Sequence, residues 1–250
     1  IDNPMQYFDY ISIHHYNLPT VNYINSCKKI QEMIESYQGG DEKEIWYNEY
    51  GVPDYRVRIS GSTAAVTRYD ANTKAAYLVE LTAQMLGNHV GDKLFPYVLS
   101  DKGFDQNYWE NTFGLVDYYR EDIPYAAKPA LVAMSAFNAF TAGYRSSEEI
   151  TESETVERYI FYNTADEKDV SILWAKAGNA NISVPKQGGN VYFYDLYGND
   201  LTNVTELDDC YQLTVTDQPV YIVYDMYTGE RYTATVTRDG AFYTFAGKFE

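Results

Sequence analysis

Positive charge is scarce in this sequence: 19 lysines and arginines stand against 36 aspartates and glutamates, a formal net charge of −17 at pH 7. No basic cluster is present that could neutralise a row of phosphates, so neither nucleic acid nor an anionic membrane surface is expected as a partner. Cysteine is nearly absent. Cys27 and Cys210 lie far apart, with no CxxC pair and no Cys/His cluster at ligand spacing; a zinc site is not expected. EF-hand spacing is lacking too, and the chain is expected to need no metal and no cofactor. "SGST" lacks the Gly-X-Ser-X-Gly elbow, and Cys27 falls in a helical pattern, which argues against a serine or cysteine nucleophile. No run approaches the roughly 20 apolar residues that cross a bilayer. "IDNPMQYF" has no charged-then-apolar signal pattern, so the chain is expected to begin inside a longer protein or after processing. The lack of a disulfide framework leaves secretion open for a domain of this size.

What the sequence does have is aromatic surface: 27 tyrosines and 3 tryptophans, within a composition 45% hydrophobic and 22% charged that fits a soluble globular protein. Aromatic faces bury area and also stack on the apolar faces of sugar rings. Most of these tyrosines are expected to be ordinary strand residues.

Along the chain, "QYFDYISIHHY" reads as a strand, followed by a helix with Val21, Ile24, Cys27, Ile30, Ile34 and Tyr37 on one side and Gly39-Gly40 at its end. "EIWYNEY" is a second strand. A polar loop leads to a helix over 70–86 whose buried face is Ala75, Leu78, Val79, Thr82 and Leu86. "KLFPYVLS" is a third strand, and the loop after it is too long for a simple connector. A last helix starts near Lys128, with Pro129 in its first turn, and ends at Gly143. This alternation predicts parallel β/α units. Beyond Gly143 the segments "VERYIFYN", "DVSILWAKA", "ANISVP", "NVYFYDLYG", "YQLTVTD" and "PVYIVYDM" have the spacing of a β-sandwich, with a final hairpin around Asp239-Gly240. The acidic run "SSEEITESETVE" is expected to be a solvated linker between the two parts. Three β/α units cannot close an eightfold barrel.

In their order and spacing, "FDYISIHHY", "EIWYNEYG", "LFPYVLSDKG", "FGLVD", "KPALVAMSAFN", "VYFYDLYGND" and "LTVTDQPVYIVY" resemble the clan A (β/α)8 glycoside hydrolases, especially the β-xylosidase and α-L-iduronidase type with a C-terminal β-sandwich. The resemblance runs to about Met226. It implies a fold class of α/β plus all-β: a partial TIM barrel made of the last three β/α units over residues 1–143, an antiparallel β-sandwich over 144–226, and a hairpin extension over 227–250.

By the same resemblance Glu49, at the end of the seventh barrel strand, is the nucleophile of a retaining glycosidase. Such an enzyme needs one carboxylate to attack the anomeric carbon and a second, about 5–5.5 Å away, to protonate the leaving oxygen. Strand ends at the C-terminal face hold such groups rigidly, and Gly51 lets the chain turn away without blocking the sugar. The family's acid/base glutamate also sits in an Asn-Glu pair, but after the fourth strand. Four more β/α units would then have to follow "IWYNEYG", whereas one fits before the sandwich, so the nucleophile role is preferred. The acid/base residue is expected to be missing here, and the 250-residue chain alone to be inactive or nearly so.

His14 and Tyr16, two apart and so on one strand face, are expected to orient Glu49 and reach the sugar, with His15 packed behind. Asn48 either contacts a sugar hydroxyl or caps a loop. Trp46 is read as core. Where many relatives carry a tryptophan floor on the eighth strand, this chain has Tyr97 followed by Val98, so Tyr97 or Trp109 is the candidate substitute, and Asp101 is read as a loop anchor. The expected partner is a polysaccharide or oligosaccharide substrate, in an extracellular or cell-surface setting. Association through the open barrel edge is a further expectation. The alternative is a non-catalytic module in which the sandwich binds glycan or stabilises a neighbour and Glu49 is incidental.

Overall fold

The computed structural model describes residues 3–16, 18–56, 67–105, 108–121, 125–150, 153–162, 168–186, 189–225, 232–239 and 242–249; residues 55–56, 67–68, 232–239 and 242–249 are described by backbone alone. The chain divides into two compact units, residues 1–132 and 133–250.

In the first unit, β1 (Tyr10–His14), β2 (Glu44–Tyr50) and β5 (Lys93–Pro96) form a parallel sheet in the order β1-β2-β5. The crossovers are α1 (Val21–Glu35), between β1 and β2, and α2 (Ala71–Gly87), between β2 and β5. A short antiparallel pair, β3 (Tyr55–Arg56) with β4 (Thr67–Arg68), precedes α2. Parallel neighbours need such crossovers, and helices supply them here as the alternating pattern predicts. Thr20 caps α1 by accepting from the Tyr23 amide, and the buried face is Tyr23, Ile24, Cys27 and Ile34. Val21, expected on that face, is exposed: it sits in the first turn, beyond the strip that meets the sheet. Asp70 caps α2 by accepting from the Asn72 and Thr73 amides, and those hydrogen bonds hold its carboxyl below the usual range.

The expected face of α2 is buried except for Leu86, which is half-buried. Burial extends further round the helix, however, to Lys74, Glu80 and Gln84. Polar residues hide in a sequence pattern as solvent-facing positions unless their partners are known. The third strand is shorter than its pattern, because residues 98–100 pair with the following loop: Leu115 donates to the Val98 carbonyl and Val116 to that of Leu99. That loop holds a 3₁₀ turn, Trp109–Thr112, and leads to α3 (Pro129–Thr141).

The second unit contains two five-stranded sheets. One joins β6 (Ser146–Glu149), β7 (Val156–Tyr162), β8 (Lys168–Ala175), β10 (Val191–Tyr194) and β13 (Val220–Asp225) in the order β10-β13-β8-β7-β6, antiparallel throughout. The other joins β9 (Ala180–Pro185), β11 (Thr205–Glu206), β12 (Cys210–Val215), β14 (Tyr232–Asp239) and β15 (Phe242–Phe249) in the order β11-β12-β9-β15-β14. Leu173 and Ile222 of the first sheet and Ile182, Val184 and Leu213 of the second belong to one apolar cluster. The other face of the first sheet meets α3, where Phe137 lies edge-on to Phe161 and Phe140 against Tyr194 and Tyr221. With both faces covered, Arg158 to Tyr162 are buried consecutively rather than alternately.

Two expectations change here. The acidic run is not wholly linker: Ser146–Glu149 is an edge strand, Ser147 is buried, and the Tyr162 hydroxyl donates to Glu148. The C-terminal strands β14 and β15 pair antiparallel, and β15 also joins β9 in parallel, so the second sheet is mixed. The turn at 240–241 lies outside the described residues. Among the described residues, no helix is long and apolar enough to cross a membrane.

Candidate functional site

Strand β2 alternates until it reaches the site. Ile45 and Tyr47 are buried on one face, and Trp46, on the other, is only half-buried. Strict alternation would bury Glu49 with Ile45 and Tyr47. The ladder prevents this. Ile13 pairs with Tyr47, but His14 pairs with Glu49, so Asn48 is an extra residue in β2, and the register with β5 shifts over the same stretch. A β-bulge of this kind re-aims the side chain that follows it. Tyr50 takes the buried position, its hydroxyl 2.8 Å from Thr82 Oγ1, and Glu49 turns to the open face.

There the Tyr16 hydroxyl donates to Glu49 Oε2 at 2.7 Å, and His14 Nδ1 lies 3.3 Å from the same oxygen. The Glu49 side chain is 33% exposed, so it is open to solvent on this face. The Tyr16 hydroxyl is pushed far above the ordinary tyrosine range, first by partial burial, then by its hydrogen bond to Glu49 and by the charges of Glu49 and Glu110. It therefore stays a donor at any ordinary pH.

An aromatic wall stands beside this trio. Tyr16 lies edge-on to Tyr97 at 5.9 Å and to Phe113 at 5.5 Å, and Phe113 lies edge-on to Tyr97 at 5.5 Å and to Trp109 at 5.4 Å. Both candidates for the sugar floor thus belong to one cluster, Tyr97 touching Tyr16 directly and Trp109 reaching it through Phe113. Lys102 Nζ sits 4.8 Å above the Tyr97 ring; its pKa is raised by a hydrogen bond to Tyr97 and by the charges of Glu110 and Glu49. Asn48 is exposed at the bulge itself.

His15 faces the opposite way, as the alternation of β1 implies: it stacks on Tyr23 and bonds Ser26 Oγ, and burial lowers its pKa. Trp46 is only half-buried. It stacks on Tyr10 at 4.0 Å, lies under Lys93, and donates to Glu44. Asp101 is a loop anchor, accepting from the Gly114 amide and pairing with Lys128. Gly51 has a further role: a Cβ there would lie 2.6 Å from the Tyr97 carbonyl oxygen, so this glycine admits the Tyr97 backbone to the site.

Sequence reasoning missed Phe113, the hub of the wall, along with Glu110 and Lys102. Phe113 lies within the segment "FGLVD" that carried part of the resemblance, but nothing local marks it as central. Among the described residues, no three His, Cys, Asp or Glu side chains are grouped to hold a metal.

No protein-family model matches this chain, and no curated protein matches it in sequence. Solved structures do. A family 39 glycoside hydrolase from the gut symbiont Bacteroides cellulosilyticus WH2 aligns with a TM-score of 0.66 at 18% identity, over 88% of this chain and 45% of its own. A GH30 endoxylanase from Clostridium papyrosolvens C71 aligns at 0.54 and 13% identity, over 89% and 50%. The thermostable GH51 α-L-arabinofuranosidase from Thermotoga petrophila RKU-1 aligns at 0.53 and 11% identity, over 87% and 52%. At such identities the likeness is one of fold: a mixed α/β chain with a glycosidase-like, partly TIM-barrel-like architecture. The chain spans about half the length of the solved structures it matches.

Proposed function

We propose that this chain carries the nucleophile side of a retaining glycosidase acting on polysaccharides or oligosaccharides, its two sheets forming the accompanying β-sandwich. The observation that carries the reading is the Glu49 carboxylate at the C-terminal end of a parallel strand, one oxygen fixed by Tyr16 and approached by His14 beside an aromatic wall. Glu49 attacks the anomeric carbon; the bond from that carbon to the leaving oxygen breaks, and that oxygen takes both electrons and a proton from a separate acid. Water then hydrolyses the glycosyl ester, the same group acting as base. Tyr97, Phe113 and Trp109 line the sugar's side of the site, and Asn48 is placed to meet a hydroxyl. The acid/base carboxylate is assigned to a part of the barrel outside this chain, so the chain alone turns over little substrate: losing proton transfer removes about 10²–10⁴ in rate.

A leaving group that departs without a proton separates attack from acid catalysis. The chain incubated with dinitrophenyl fluoroglycosides of several pentoses and hexoses is expected to become covalently labelled on Glu49, read by peptide mass spectrometry, while Glu49→Gln is not. Labelling of another residue, or ordinary turnover of aryl glycosides that survives Glu49→Gln, would overturn the assignment.

A further inference from the structure

Beneath the aromatic wall lie four charges that the displacement chemistry does not use. Lys74, from the first turns of α2, is only 1% exposed, and Lys128, at the start of α3, only 8%. Asp54 follows β2 by four residues, and Asp101 follows β5 by five. Lys128 bonds both carboxylates, Lys74 pairs with Asp54 at 3.3 Å, and Asp117 stands 3.9 Å from Lys128 at the rim. Two lysines thus face two buried aspartates, which neutralises the group. Burying charges is costly, and the cost is offset only where they are paired and their remaining hydrogen-bonding capacity is used.

What this group fixes is Phe113. Lys74 Nζ donates to the Thr112 carbonyl at 2.8 Å and to the Gly114 carbonyl at 2.8 Å, gripping the chain on both sides of that residue. The Asp54 amide donates to the same Thr112 carbonyl, and the Gly114 amide donates to Asp101 Oδ1 at 2.7 Å. Gly114 is required for so tight a bracket, since a Cβ there would lie 2.2 Å from the Asp101 amide nitrogen. Phe113, held in this way, presses on Tyr16, Tyr97 and Trp109 together.

We infer that Lys74, Lys128, Asp54 and Asp101 are positioning residues, which lock Phe113 and through it set the Tyr16 hydroxyl against Glu49. Asp54 lies in the segment that follows the strand carrying Glu49 and Asp101 in the one that follows the strand leading to Tyr97, so the set ties these two segments to each other as well as to the loop. Positioning of this kind matters because a catalytic group held loosely loses rate steeply with small displacements. The inference concerns the site of the glycosidase reading, but its test uses no sugar. Failure of the test leaves Glu49 available as a nucleophile, and failure of Glu49 labelling leaves the clamp standing.

The test is by NMR on the 250-residue chain with ring-labelled tyrosine and phenylalanine. Lys74→Met is expected to abolish the Overhauser contact between Tyr16 and Phe113 while the Tyr10–Trp46 contact, on the same sheet but away from the clamp, survives. Leu81→Ala, a cavity in α2 matched for loss of thermal stability, is expected to spare both. Should Lys74→Met fail to fold, Phe113→Leu keeps the clamp and removes the hub; it is expected to weaken the Tyr16–Tyr97 contact. Survival of the Tyr16–Phe113 contact in Lys74→Met, its equal loss in Leu81→Ala, or an unchanged Tyr16–Tyr97 contact in Phe113→Leu would overturn the inference.

Discussion

His14 stands opposite Glu49 in the ladder between the first two strands, one residue later than strict pairing would place it. With Asn48 in the chain, the bulge is therefore a precondition of the site, because without it the carboxylate belongs to the face that Ile45 and Tyr47 bury. Deleting Asn48 takes out the extra residue together with the bulge, so regular alternation then keeps Ile45, Tyr47 and Tyr50 buried and Glu49 on the open face opposite His14; the deletion is expected to cost no more than about 1–2 kcal/mol and to keep labelling. Asn48→Ala, which keeps the extra residue, is expected to stay within about 1 kcal/mol of the parent as an exposed change. Urea unfolding and fluoroglycoside labelling of both variants check this: both stay folded and both are labelled, and loss of labelling in the deletion alone would show that the bulge does more than correct the alternation.

Tyr16 offers the second prediction. Its hydroxyl donates to the same oxygen that His14 approaches, and a hydrogen bond to a charged acceptor contributes about 1.5–3 kcal/mol. Tyr16→Phe keeps the ring packed against Tyr97 and Phe113 but frees Glu49 to turn. The labelling rate is expected to fall by about tenfold or more, with the near-ultraviolet circular dichroism unchanged. A rate equal to the parent's would show that the bond does not aim the carboxylate.

Much of this arrangement is legible in the sequence, and what is not has identifiable causes. The strands and helices of the first unit follow from their periodicity, whereas the grouping of Glu49 with His14 and Tyr16 is what the resemblance to the clan A glycoside hydrolases implies, carried by two short motifs at strand ends. The bulge is invisible, since "WYNEY" reads as well with strict alternation as without it. Lys74 is equally hidden: a lysine in a helical pattern reads as solvent-facing, and its partners, Thr112 and Gly114, lie 38 and 40 residues away. Ser146–Glu149 reads as linker because charge dominates its composition, whereas pairing with β7 makes it a strand.

Gly51 separates two reasons for one glycine. If it only cleared room for a sugar, alanine there would be tolerated by the folded chain. In the structure, however, the obstacle is backbone, the Tyr97 carbonyl at 2.6 Å, while the Tyr97 amide also donates to the Tyr50 carbonyl at 2.7 Å. Gly51→Ala must therefore push β2 and β5 apart at the site. The expected cost is about 1–3 kcal/mol, typical of overpacking, with the Tyr97 and Phe113 resonances displaced and the Tyr10–Trp46 stack unaffected.

The last prediction concerns pH. Burial lowers the pKa of Lys74 to about 8; the charges of Asp54 and Asp101 offset this in part, and Lys128 adds to it. An unfolded lysine titrates near ~10.4. Between these values the unfolded chain holds a proton that the folded chain has released, so this group makes stability rise with pH. Other groups oppose it. Burial raises the Cys27 thiol, so above its ordinary range the unfolded chain loses that proton first and stability falls. Lys128 is raised by Asp101 and Asp54 despite its burial; its contribution is complete below the ordinary lysine value and is lost only at higher pH. Asp101, raised by burial, acts in the acid range. The Lys74 contribution is therefore isolated by comparing the parent with Lys74→Met, in which the Cys27 effect is common to both. From pH ~7 to ~9.5 the parent is expected to gain about 1–2 kcal/mol on the variant, the slope of a single proton. Urea unfolding at half-unit steps of pH measures the difference, and a flat one would mean that Lys74 keeps its proton throughout this range.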